Sequence, residues 1–293
     1  MVQAGLPPSS SRRIEAAFLK ACRAEIAAIK PGNVHIHAAG HGMDAATFER
    51  AALACAPVIA DPSLSVGARI LQATRLSFSA AGCNANLGIV LLAAPLAKAA
   101  QGVSEPCLDA LRDGLRDVLA TLSPDDAADA FAAIAHASPG GLGARADHDV
   151  REAPTIGLLE AMALAAETDR IARQFVSGFE DIFEIGLPAC RIEPKSLFDH
   201  PDLGLAFKVY LSFAGGFADS HIIRKFGAST AETTRKRFAD FVARITHLGD
   251  AESVRTAALA FDRDLKAEGL NPGTSADLTV ATLFARFMLR SAT

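Results

Sequence analysis

The chain has 293 residues, 50% of them hydrophobic and 21% charged, a globular composition with enough chain for a large core. Its formal net charge of −4 leaves no basic footprint, which argues against nucleic acid as a partner. Trp is absent and Tyr210 is the one Tyr, so platforms for stacking single-stranded bases would have to be Phe, and no interleaving of Phe with Arg appears. Cys22, Cys55, Cys83, Cys107 and Cys190 are odd in number, scattered and without a CxxC pair. They suit a reducing compartment better than a disulfide frame or a structural zinc site. The start, MVQAGLPPSSSRR, has no apolar stretch of the kind a secretory signal needs. The longest uncharged run, 76–97, contains Ser77, Ser79, Asn84 and Asn86, and its continuous apolar half is too short for a membrane span. These features predict a soluble, cytoplasmic protein.

In chain order, residues 1–10 are rich in Pro and Ser and read as a disordered tail. From Ser11 the pattern turns helical. Ile14, Phe18, Ala21, Cys22 and Ile26 form one apolar stripe, and Lys30-Pro31-Gly32 ends it. Further helical segments cover 44–60, 65–80, 86–100, 105–122 and 124–137, with Ser123-Pro124 as a cap and first-turn signal. After a polar loop come 155–183, 203–226, 230–248, 251–268 and 275–291. Alternating runs rich in β-branched residues are missing. The periodicity predicts an all-α fold of about eleven helices, with no fixed repeat. No linker marks a boundary, so 11–293 reads as a single compact multi-helix domain.

The polar residues gather in the turns between helices. The first turn holds Lys30, Asn33, His35, His37, His41 and Asp44. Its three histidines do not match a zinc spacing, and solvated loop histidines explain them; Lys30 suits a helix C-terminus. The second, 80–88, places Asn84 and Asn86 before an apolar helix. One Asn is explained by capping, while two amides there would also suit a sugar hydroxyl or phosphate. The third, 138–152, is Gly-rich but lacks GK[ST] and GxGxxG, so a connector is the plain reading. Asp147, His148, Asp149 and Arg151 follow at once and crowd charge where a ligand would relieve it.

The fourth cluster, 218–227, offers Asp219 as a Mg²⁺ ligand with Arg224 and Lys225 for phosphate oxygens. A bland alternative is dipole complementarity at a helix end. The fifth is Asn271-Pro272-Gly273-Thr274-Ser275-Ala276-Asp277, where Thr274 and Asp277 have capping-box spacing. Asp277 would repel a bare phosphate at that helix start, whereas a Mg²⁺–polyphosphate removes the conflict.

Taken in order, four of these segments resemble the triphosphoribosyl-dephospho-CoA synthase family. They are Lys30-Pro31-Gly32, Gly40-His41-Gly42-Met43-Asp44, Gly82-Cys83-Asn84-Ala85-Asn86-Leu87-Gly88 and Asn271 to Asp277. The resemblance covers about 25–289. Ala85 departs from the Thr usual there, and Gly42 from the Asp that commonly precedes Met. The middle resembles the branch in archaea and methylotrophic bacteria, associated with one-carbon cofactors. The resemblance implies an all-α fold and transfer of the triphosphoribosyl group of ATP to the 2′-hydroxyl of 3′-dephospho-CoA, releasing adenine.

On that reading Lys30, Arg224, Lys225 and the Gly273, Thr274 and Ser275 backbone hold the triphosphate through Mg²⁺. Asp219 and Asp277 are the metal candidates, with Asp149 third. Asp44 or Asp149 is the general base, and Asn84 and Asn86 meet ribose or phosphate. Asn33, His41, Gly88, Ser220 and Asn271 complete the binding set. Two alternatives stand beside it. One is a related nucleotide-dependent enzyme acting on a pterin or furan acceptor; the other is a non-catalytic helical scaffold whose polar turns are only caps. The Ala-rich helical surface is compatible with a homodimer.

Overall fold

A computed structural model describes residues 10–103, 107–137, 154–191 and 201–289. Residues 1–9 of the expected tail, and Asp149 with its Gly-rich loop, lie outside the described residues, while Ser10 already begins the first helix. The described residues form fourteen α-helices and one π-helical turn, with no strand among them. The all-α expectation holds. Among these residues no helix is long and apolar enough to cross a membrane. All five cysteines are unpaired.

The first half follows the predicted boundaries closely, because its helix ends are set by local side chains. α1 (Ser10–Ala27) buries Ile14, Phe18, Ala21, Cys22 and Ile26, the expected stripe. Asp44 caps α2 (Ala45–Ala60), accepting from the Thr47 backbone N–H at 2.8 Å and its hydroxyl at 2.7 Å. Ser65 caps α3 (Val66–Ala81), which Gly82 closes in the left-handed conformation at φ 75°. α4 (Leu87–Gln101) is almost wholly buried, and α5 (Leu108–Ala120) packs on it.

Ser123 and Asp126 form a reciprocal cap at the start of α6 (Pro124–Ala137). The Ser123 hydroxyl accepts from the Asp126 N–H at 3.1 Å, and Asp126 Oδ2 accepts from the Ser123 N–H at 2.9 Å. The other Asp126 oxygen accepts from the Gly67 N–H of α3 at 2.6 Å, so one carboxylate serves two helix starts.

The second half departs from the predicted segments. The expected helix 155–183 is broken into α7 (Leu158–Ala165), α8 (Arg170–Ser177) and a π-turn (Ile182–Gly186) running into α9 (Leu187–Ala189). Asp169 starts α8 by accepting from the Ile171 and Ala172 N–H groups at 2.8 and 3.2 Å. Gly178 and Phe179, at φ 66° and 64°, end it. At Gly186 a Cβ would fall 2.3 Å from Thr282 Oγ1, so the π-turn brings bare backbone against a later helix. The expected helix 203–226 divides into α10 (Pro201–Gly216) and α11 (Ser220–Phe226), with Asp219 as the new cap. α12 (Ala228–Ile245), α13 (Ala251–Ala267) and α14 (Gly273–Met288) complete the order.

Two buried apolar clusters result. The larger is built from α1 to α9, the π-turn and the far part of α14; the smaller from α10 to α13. α10 and α14 contribute to both. In α14, Ala276 belongs to the smaller cluster and Leu278 to the larger, which puts Asp277 at their seam. Ala28 and Ile29 divide the same way just before Lys30.

Asp126→Ala is expected to lower stability by about 1–3 kcal/mol, since it strands buried donors at two helix starts. The urea midpoint checks this. An unchanged midpoint would show that water replaces the carboxylate at both ends.

Candidate active site

Lys30 ends the first helical region and is buried, with 1% of its surface exposed. Its ammonium pairs with the Glu25 carboxylate and donates to Asn33 Oδ1 at 2.9 Å. Asn33 in turn donates to Asn271 Oδ1 at 2.7 Å, linking the Lys30 turn to the segment before α14. Burial pushes the Lys30 ammonium down and the Glu25 carboxyl up, and each charge offsets the other's shift.

The turn itself is locked. Gly32 sits at φ +83°, and a Cβ there would fall 2.9 Å from the Leu270 carbonyl oxygen. Its N–H donates to Asp262 Oδ1 at 2.9 Å, and its carbonyl lies 2.8 Å from His41 Nε2. The Tyr210 hydroxyl donates to the Pro31 carbonyl at 2.7 Å. Lys266 joins Asp262 at 3.0 Å to the Ala38 carbonyl at 3.1 Å. His37 is exposed as expected, but His35 is not a solvated loop histidine. It is buried with Nε2 3.3 Å from Asp262 Oδ2, and burial pushes its pKa down.

At the start of α14 the expected Thr274–Asp277 capping box does not form. The helix begins two residues earlier, at Gly273, and Thr274 is buried without a capping bond. The cap comes instead from Asp219. Its Oδ2 accepts from the Ser275 N–H and hydroxyl, both at 2.8 Å, while Oδ1 accepts from the His221 N–H at 2.9 Å. Asp277 is thereby left out of any cap, and its carboxylate lies against the first turn of α4. A Cβ on Gly88 would fall 2.1 Å from Asp277 Oδ2, so only glycine permits that approach.

The neighbouring helix starts complete the enclosure. The Arg170 N–H of α8 donates to the Ser220 hydroxyl of α11 at 2.8 Å. Arg224 Nη1 donates to Asp169 Oδ2 at 2.7 Å, while its Nε is buried without a partner. The first turns of α4, α8, α11 and α14 thus meet within a few contacts of one another. Helix N-termini carry partial positive charge and free N–H groups, which accounts for the acidic side chains collected there. Asp277 retains partial exposure, yet its carboxyl group is closely surrounded. Burial, then the Glu25 and Asp219 charges, hold it well above the usual carboxylate range, against the opposing pull of Arg224.

Of the predicted residues, the structure joins Lys30, Asn33, His41, Gly88, Asp219, Ser220, Arg224, Asn271, Gly273, Ser275 and Asp277 through these contacts. Gly273 stands there because a Cβ on it would fall 3.3 Å from His221 Nδ1. Others lie apart. Asp44 is an exposed cap whose acidity is increased by the Thr47 hydrogen bonds. Asn84 caps α4 by accepting from the Leu87 N–H at 3.2 Å. Asn86 turns inward, accepting from the Ser77 hydroxyl at 2.5 Å and facing Cys55 Sγ at 3.5 Å. Lys225 is exposed, its ammonium 5.2 Å from the Phe226 ring centroid.

Sequence reasoning missed Glu25, Asp169, His221 and Asp262. Glu25 carried a readable signal. It continues the apolar stripe of α1 three residues after Cys22, where an unpaired charge would be costly. Among the described residues no group of three or more His, Cys, Asp or Glu side chains has the arrangement of a metal site.

A carboxyl with a raised folded-state pKa holds its proton more tightly in the folded chain than in the unfolded one. Stability therefore falls as pH rises above the unfolded carboxyl value. Asp277→Asn removes that penalty. Its melting temperature is expected to exceed that of the wild type at about pH 8, and to converge with it near about pH 4. A lower melting temperature at the higher pH would make Asp277 a structural anchor instead.

The chain was compared with known proteins. No curated protein matches it. A crystal structure of a proposed triphosphoribosyl-dephospho-CoA synthase from Archaeoglobus fulgidus is similar, with a TM-score of 0.62 and 21% identity. The match covers 80% of this chain and 95% of that one, and shows a shared fold. The family description "ATP:dephospho-CoA triphosphoribosyl transferase" fits residues 11–292, a span that takes in all the helices and the polar centre between them, and the chain belongs to this CitG family of transferases.

Proposed function

We propose that the centre around Asp277 is where the triphosphoribosyl group of ATP passes to the 2′-hydroxyl of 3′-dephospho-CoA, with release of adenine. One observation carries this reading. Two cations, Lys30 and Arg224, and the first turns of α4 and α14 meet around Asp219 and Asp277 at the seam of the two apolar clusters. A triphosphate can use both kinds of positive group at once. Arg224 has a buried Nε with no partner among the described residues, a donor available to an anion.

Breaking the ribose–adenine bond builds positive charge at C1′, as in glycoside hydrolysis. Buried carboxylates oriented before the reaction stabilise such charge more than water does. The locked Lys30 turn and the Asp219 cap supply rigidity. Holding donor and acceptor in line contributes on the order of 7–11 kcal/mol in favourable cases.

Mg²⁺ fits this centre. The protein brings two carboxylates, Asp219 and Asp277, whose negative charges oppose each other. Mg²⁺ is commonly held by one or two carboxylates plus substrate phosphates, so no three-residue protein cluster is required. Asp219 and Asp277 would hold it, and the ion would neutralise charge on the phosphates.

Mass spectrometry of the purified chain with ATP, Mg²⁺ and 3′-dephospho-CoA tests the reading. Free adenine and a product heavier by one triphosphoribosyl group are expected. Thermal stabilisation by ATP without adenine would move the reading to a related reaction on a pterin or furan acceptor. Arg224→Ala is expected to weaken ATP binding about tenfold to a hundredfold. Its melting temperature should stay nearly unchanged, because its ion pair with Asp169 is partly solvated. Unfolding of this variant would make Arg224 structural.

A further inference from the structure

The Glu25–Lys30 pair is almost fully enclosed, at 4% and 1% exposure. A buried ion pair is a poor way to stabilise a fold, since apolar side chains of similar volume do as well or better. Its geometry suggests a different purpose. An ammonium has three N–H groups. Glu25 Oε1 and Asn33 Oδ1 take one each, and Asn33 is itself held by Asn271. The Lys30 head therefore cannot swing, and its third N–H has no protein acceptor among the described residues. Asp277, on the first turns of α14, is close enough to act on Lys30 through its charge. Lys30 and Asp277 thus belong to one centre.

We infer that Glu25 is a positioning residue, which with Asn33 keeps the Lys30 ammonium charged and aims its third N–H at a phosphate oxygen of the nucleotide. This rests on the function proposed above. Glu25 acts only through Lys30 and touches no substrate. Glu25→Gln preserves size and one hydrogen-bond acceptor but removes the charge that holds a buried ammonium ionised.

The test is a double-mutant cycle on the full chain, read as the Kd for ATP by calorimetry. Glu25→Gln and Lys30→Met are each expected to weaken binding about tenfold to a hundredfold. The double variant should bind no more weakly than Lys30→Met, because the second change then has nothing left to act on. Wild-type affinity in Glu25→Gln overturns the inference. So does a full Glu25→Gln penalty that persists in the Lys30→Met background.

Lys30→Met leaves Glu25 buried without a partner, and that variant is the one prone to unfold. Glu25→Asp then decides the matter. It keeps the charge but draws it back by one methylene, and should bind ATP between wild type and Glu25→Gln. Binding as weak as Glu25→Gln overturns the inference. ATP binding without adenine release would remove the transferase reading and leave these comparisons intact. A wild-type chain that binds no ATP removes both.

Discussion

One carboxylate, Asp219, sets the geometry on which the rest of the centre depends. It caps its own short helix through His221 and, through Ser275 56 residues later in the chain, the long final helix of the described residues. That double attachment fixes the direction in which α14 enters the core. It also relieves Asp277 of capping duty. A free carboxylate at a helix start, pressed against Gly88 of another helix start, is the result. Gly88 has no side chain to keep them apart, and Asp219 supplies the force that brings them together.

The electrostatics follow from that arrangement. Four helix starts present positive ends to one region, and acidic side chains collect there in response. The protein matches some of these charges closely. Asp169 meets Arg224, and Glu25 meets Lys30. Asp277 has no such partner among the described residues, and burial followed by the Glu25 and Asp219 charges raises its proton affinity. Another buried cation is taken up mainly by structure. Arg69, fully buried, donates to the carbonyls of Ile59, Asp61 and Leu64 and to Gln101, closing the turn after α2.

How much was legible in the sequence depended on the distance between partners. Asp44 with Thr47, Ser65 with Ala68, and Ser123 with Asp126 are three residues apart, and their helices start where the pattern placed them. The Thr274–Asp277 box failed for the opposite reason. Its rival, Asp219, is 56 residues away, and no local rule weighs such a competitor. The segments read as single helices in 155–183 and 203–226 failed similarly. Their apolar periodicity continues across Asp169 and Asp219, but both residues leave the helix to serve as caps. Most of the centre was assembled from motifs in the right order. Glu25 escaped because a charged residue on an apolar stripe looks like an interruption until its partner is seen.

The placement of α14 bears on how such a protein is made. It is the last helix of the described residues, yet it packs against α1, α4, α10 and the π-turn, and it brings in Asp277 and the donor groups of Ser275. During synthesis the chain emerges N-terminal end first. The earlier helices must therefore wait with a groove where α14 will lie, and Asp219 must wait without its Ser275 partners. Contacts between such distant segments form late and slowly. A chain whose final helix has not yet left the ribosome lacks Asp277 beside Gly88 and the Ser275 donors to Asp219.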